Sequence, residues 1–137
     1  MKYIRRIFPV IAFWVIMSTS VFAARYYVKT TGSDSNSGES WDAALKTIVK
    51  ATQTAKIGDE VWVAEGTYAE SKTVDNPTSF VLYGGFAGTE SQLSERNISA
   101  HPTIIDGEDA RQCVRNSGVL DGFQYCKWEI RLRRRNL

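Results

Sequence analysis

The chain has 137 residues, 17 Lys and Arg against 15 Asp and Glu, and a formal net charge of +2. That charge sits at the ends: without Lys2, Arg5 and Arg6 the balance is −1, and Lys127, Arg131, Arg133, Arg134 and Arg135 outweigh Glu129 by 4, so residues 24–125 carry −5. An acidic body of this kind excludes a nucleic-acid surface, which needs Lys and Arg grouped on one face, and its length allows one small domain and not two.

Residues 1–23 read as a secretory signal peptide. A basic start (Lys2, Arg5, Arg6) precedes an apolar run from Ile7 to Met17. Small or short side chains follow at Val21 and Ala23, which places cleavage after Ala23. The run is too short to span a bilayer, which takes ~20 residues, so no transmembrane helix is expected after cleavage. The expected location is outside the cell or on the outer-membrane surface. In that compartment a disulfide between Cys113 and Cys126 is chemically allowed, although spacing does not decide it.

The segment "ARYYVKT" has the aromatic and β-branched composition of a strand. "TGSDSNSGES" follows as a loop of turn formers. Its Asp34-x-Asn36-x-Gly38 spacing resembles an oxygen-ligand calcium loop, but no bidentate Glu follows at the required distance. Ser40 is a candidate helix cap, and residues 41–56 are predicted as a helix. Leu45, Ile48, Val49, Thr52 and Ala55 form its apolar stripe, and Gly58 terminates it.

Beyond Gly58 the helical period disappears. "EVWVAEG" alternates Val61 and Val63 against Trp62 and Ala64, as a strand does. "SFVLYGG", "TIIDG", "QCVRN" and "GVLDGF" are still shorter apolar runs, mostly closed by Gly, Asp or Asn. Such a series fits an antiparallel sandwich or a solenoid of stacked parallel strands. No tight hairpin turn joins matched neighbours, which favours the solenoid.

The residues that carry a family resemblance are now in view. Gly58-Asp59-Glu60-Val61-Trp62-Val63-Ala64-Glu65-Gly66-Thr67-Tyr68 fits a pattern GD-x-V-x-V-x-x-G-x-Y. With the strand, loop and helix before it, this resembles the N-terminal segment of bacterial secreted proteins of the pectate-lyase-like superfamily. "VLYGGFAGTESQLSERN", "TIIDGE" and "VLDGF" resemble the coils of exported surface proteins called polymorphic outer-membrane-like. The resemblance implies a mainly β fold: the first coils of a right-handed parallel β-helix over residues 58–123, with residues 24–57 supplying a strand, a loop and a capping α-helix. Trp41, Leu45, Ile48 and Val49 are expected to form that cap, because an open solenoid end exposes strand backbone and core.

Candidate chemistry is sparse. Gly84, Gly85 and Gly88 read as turn glycines between coils, since no G-x-G-x-x-G order or P-loop lysine accompanies them. His101, the single histidine, precedes Pro102 and lacks the partners of a metal site or a triad. The resemblance points to acidic, Lys or Arg groups on exposed strand faces; here Asp106, Asp109 and Asp121 are the candidate carbohydrate or ion contacts. A glycosidase needs two carboxylates about 5–10 Å apart, whereas Asp106-Gly107 and Asp121-Gly122 serve a turn equally well. No catalytic residue, metal site or cofactor is assigned; Ca²⁺ enters only as an ion that some such proteins bind.

Residues 124–137 depart from the pattern: "QYCKWEIRLRRRNL" is Gly-free and Arg-rich. Codons for Gln124 to Glu129 read one base downstream encode Asn/Ser, Ile/Thr, Ala/Val, Asn/Ser, Gly and Lys/Arg, an ordinary strand and turn. The sequence therefore reads as a truncated N-terminal piece with a frameshifted tail. The functional expectation is an exported surface protein that binds a glycan or cell-surface ligand without catalysis; the alternative is the N-terminal part of a polysaccharide lyase or glycoside hydrolase acting on an acidic or plant-type glycan.

Overall fold

The computed structural model describes residues 23–76, 80–107, 113–116 and 118–127. The expected signal segment, apart from Ala23, lies outside these residues, as do Asp109 and the tail beyond Lys127. Among the described residues no helix is long and apolar enough to cross a membrane.

The chain is mainly β, with strands β1 (Arg25–Val28), β2 (Glu60–Ala64), β3 (Gly66–Ala69), β4 (Val74–Asn76), β5 (Val81–Phe86), β6 (Thr103–Asp106), β7 (Val114–Asn116), β8 (Val119–Asp121) and β9 (Phe123–Lys127), and one helix, α1 (Ile48–Thr54). All described pairings are parallel. They form three sheets, in the orders β1-β2-β5-β8, β3-β6-β9 and β4-β7. From β2 onward the chain visits the first, second and third sheets in turn, then repeats the circuit with β5, β6 and β7 and begins it again with β8 and β9. β9 runs across residue 124, where the atypical tail begins, and Ile105 and Asp106 take Cys126 and Lys127 as register partners.

Strand periodicity divides the first sheet cleanly. Tyr26, Val61, Leu82 and Leu120 are consecutive register partners, and all four lie in the apolar core or pack against it. The next row, Tyr27, Trp62, Tyr83 and Asp121, points the other way, because successive residues of a strand face opposite sides. Trp62 is nevertheless 0% exposed. The reason is a cover of side chains: Phe86 stacks on it at 4.5 Å, Tyr27 meets it edge-on at 5.9 Å, and the Arg25 guanidinium lies 3.7 Å from its ring centroid.

Two sequence expectations need correction. The helix begins at Ile48 and not at Trp41, and it ends at Thr54, four residues before Gly58. Leu45 is extended, forming a parallel bridge with Val28. Lys29 donates its amide to the Leu45 carbonyl, and Leu45 donates its own to Tyr27. These residues spend their backbone groups on β1 and have none left for a helical ladder. Ser40 caps only a local turn, its Oγ accepting from the Ala43 amide, while Thr47 is the helix cap, accepting from the Lys50 amide.

The glycines of "YGGFAG" also differ from expectation. Gly84 and Gly85 lie inside β5. A Cβ on Gly84 would stand 2.7 Å from the Gly122 carbonyl oxygen, so this position allows neighbouring windings of backbone to touch. Gly88 does lie in the following loop, at φ +96.

Candidate functional site

The polar groups that the sequence leaves without a role gather where α1 meets the end of β3. Asp34 lies in the loop after β1, and its Oδ1 accepts the amides of Lys46 and Thr47, both at 2.9 Å. Its Oδ2 accepts the Thr47 hydroxyl at 2.8 Å. Glu70, immediately after β3, turns inward to accept the Ile48 amide at 2.6 Å. Two carboxylates thus satisfy amide donors at the start of the helix, which has no preceding turn to do so.

Glu70 is only 2% exposed. Burial holds its carboxyl above the ordinary glutamate range, since the charged form loses hydration; the amides of Ile48 and Val49 oppose the shift, and the Asp34 charge adds to it. Burial, then the Glu70 charge, also push the neighbouring Tyr68 hydroxyl upward. That hydroxyl is occupied, donating to the Ala64 carbonyl at 2.9 Å.

Two pockets flank this cluster. One, of about 180 Å³, is lined by Thr30, Lys46, Thr47, Thr67, Tyr68, Ala69 and Glu70. The other, of about 230 Å³, shares Thr47, Ala69 and Glu70 and adds Asp34, Val49, Lys50, Gln53, Ser71 and Lys72. Together they make one cleft along the seam between α1 and the second sheet. No sequence motif announced it, because Glu70 and Asp34 stand 36 positions apart.

The residues singled out by sequence lie elsewhere. Asp106 ends β6 in the second sheet and is half-buried. Asp121 ends β8 in the first sheet, paired to Arg96 in a close ion pair. They belong to different sheets. Asp109 lies outside the described residues. Among the described residues no group of three or more His, Cys, Asp or Glu side chains is placed to hold a metal ion. His101 Nδ1 meets Glu65 Oε2 at 2.9 Å in a partly exposed pair.

Of the four expected cap residues, Leu45 and Ile48 sit in the core and Val49 packs against it. Trp41 does not join them. It lies on the opposite side of the first sheet, 4.7 Å from Tyr27 and 5.8 Å from Phe86, and donates its Nε1 hydrogen to the Glu90 carbonyl at 2.8 Å. Glu90 in turn accepts the amides of Ala87, Gly88 and Thr89. Burial pushes its carboxyl up, but those amide donors outweigh burial and hold it below the usual range.

Residues 30–126 match the family described as Protein of unknown function (DUF1565). The chain belongs to this family. Every residue of the cleft falls within the DUF1565 segment, whereas β1, whose Val28 and Tyr27 hold Leu45, precedes it. No curated protein and no solved structure matches the chain.

Proposed function

We propose that this DUF1565 protein forms the first turns of a right-handed parallel β-helix, is exported, and works at the cell surface by binding a glycan or another surface ligand rather than by catalysis. The circuit of strands through three parallel sheets supports the fold, because stacked coils repeat their strands in that way. DUF1565 is a domain known in β-helix and pectate-lyase-like proteins.

One observation carries the functional half: five of the described carboxylates hold backbone amides of the framework. Asp34 and Glu70 hold the start of α1. Asp59 accepts the amides of Ala24 and Lys56. Glu90 and Glu95 hold the loop after β5. A carboxylate that anchors backbone amides is a poor general acid or base, since proton transfer would cost it those bonds. Titration of the purified protein against glycans, run beside an assay for chain cleavage of polygalacturonate, tests the proposal. Binding without cleavage supports it; cleavage that follows the protein through purification overturns it.

A second reading has one observation in its favour. Glu70 combines an upward-shifted carboxyl with a neighbouring pocket that contains Lys46 and Tyr68, an environment that suits a general acid. Under that reading this is part of a lyase or glycoside hydrolase, and Glu70→Gln abolishes cleavage while leaving binding intact.

A further inference from the structure

We propose that the cleft between α1 and β3 is a binding site for an anionic sugar, one carrying a carboxylate or a sulfate ester. The inference rests on the binding function proposed above and assigns it a place.

The cleft is a basic spot on an acidic body. Residues 24–125 contain five lysines, and three of them, Lys46, Lys50 and Lys72, line these adjoining pockets. All three are exposed. Among the described residues none of their ammonium groups is in an ion pair; the pairs there use Arg25, Arg96, Arg115 and His101. Lysines without a carboxylate partner, lining adjoining pockets, favour a ligand that brings negative charge to them.

The acidic residues of the cleft, Asp34 and Glu70, offset two of these three charges and leave the lining a formal excess of one positive charge. Both oxygens of Asp34 are committed to Lys46 and Thr47, and Glu70 lies below the surface with its Oε1 on the Ile48 amide. The lining also offers uncharged polar groups, the hydroxyls of Thr30, Thr67 and Ser71 and the amide of Gln53, beside the apolar Val49 and Ala69. Ammonium groups beside neutral donors and acceptors suit a ligand that is both charged and polyhydroxylated. Pockets of about 180 and 230 Å³ are concave enough for one or two sugar rings, not for a macromolecular surface.

The test is calorimetric titration of the whole protein with three short oligosaccharides, ending in a uronic acid, a sulfated sugar or neutral glucose. The expected result is binding of a charged ligand at least tenfold tighter than the neutral one, weakening as salt is raised. The uronic-acid and sulfate arms identify which anion is recognised. Lys50→Ala with Lys72→Ala is expected to reduce affinity roughly tenfold or more, in keeping with two charge-assisted hydrogen bonds. Lys50→Glu is expected to do the same alone, and Lys56→Ala, outside the cleft, to change nothing. Equal binding of charged and neutral sugars, or full affinity in the lysine variants, overturns the assignment. If only neutral glycans bind, the cleft assignment fails and the binding function stands. If no glycan binds, both fail.

Discussion

Glu70 Oε1 accepts the backbone hydrogen of Ile48 at 2.6 Å, tying the end of β3 to the first residue of α1. This bond joins elements 22 residues apart in the chain, and it is made at the edge of the core, where Ile48 is 0% exposed. An amide donor buried there needs a partner, because leaving it unsatisfied costs roughly 1–3 kcal/mol.

Glu70→Ala is therefore expected to destabilise the protein by about 1–3 kcal/mol. Glu70→Gln keeps an acceptor oxygen and removes a poorly hydrated charge, so its stability at neutral pH should equal or exceed that of the parent. Urea unfolding of the three proteins checks this order. Equal losses in both variants would show that the charge, and not the acceptor, is what the site requires.

The same residue sets a pH dependence. Its carboxyl is raised in the folded protein, so the folded state binds a proton more readily than the unfolded one. The stability it contributes is complete below the unfolded glutamate value of about 4.3 and is lost as pH rises through the higher folded value. Glu90 and Glu95, held low by backbone donors, act in the opposite sense and weaken the fold as pH falls. The expected signature is thus a difference: stability of the parent minus that of Glu70→Gln should decline as pH rises out of the ordinary glutamate range, and a flat difference curve would contradict the assigned shift.

Trp41 pins the loop after β1 to the outer side of the first sheet through Tyr27, Phe86 and the Glu90 carbonyl. Trp41→Ala should cost about 3 kcal/mol, the low end for aromatic truncation because the ring is only half-buried. Trp41→Phe keeps the ring contacts, loses the indole donor and should recover roughly half of that. Thermal unfolding followed by circular dichroism distinguishes the two.

Two glycines separate backbone strain from steric exclusion. Gly58 (φ +87) has nothing within 4 Å of an added Cβ, whereas Gly122 (φ +84) would place one 2.5 Å from the Gly84 carbonyl oxygen. Gly58→Ala should cost about 1 kcal/mol, for the left-handed conformation alone. Gly122→Ala must also part β5 from β8 and should cost at least twice as much. Denaturant midpoints of the two variants give the comparison directly.

Cys113 is 2% exposed and disulfide-bonded. Reduction should lower the unfolding midpoint by an amount corresponding to about 2–5 kcal/mol, and Cys113→Ser in the absence of reductant should match it. An unchanged midpoint under reductant would show that the bond adds nothing to the fold.

Local chemistry made several features legible in advance. Alternation in "EVWVA" and the short runs ending in Gly, Asp or Asn marked the strands, because a pleated strand puts successive side chains on opposite faces and each run is short enough to decide its own conformation. The preference for stacked parallel strands over hairpins was also readable, from the missing two-residue turns. The helix was readable only in its second half. Its apolar stripe begins at Leu45, but whether Leu45 coils or extends depends on Val28 and Tyr27, which take up its backbone from 17 and 18 residues away.

The outer cover and the cleft were not legible at all. In sequence, Trp62 is one half of an alternation, opposite Val61 and Val63; it is buried because Tyr27, Phe86 and Arg25 come to it from separate parts of the chain. Asp106 and Asp121 look alike in sequence, each before a glycine, yet they fall on different sheets. Asp34, Thr47, Glu70 and the three lysines carry no shared spacing and meet only because β3 ends beside the start of α1. The sequence by itself determined six of the nine described strands, β1, β2, β5, β6, β7 and β8, since alternation and short bounded runs follow from near neighbours; β3 and β4 carried no such run and β9 crosses into the atypical tail. Only the tertiary structure decided which carboxylates are buried and which residues line the cleft, because those depend on distances between residues that the chain keeps far apart.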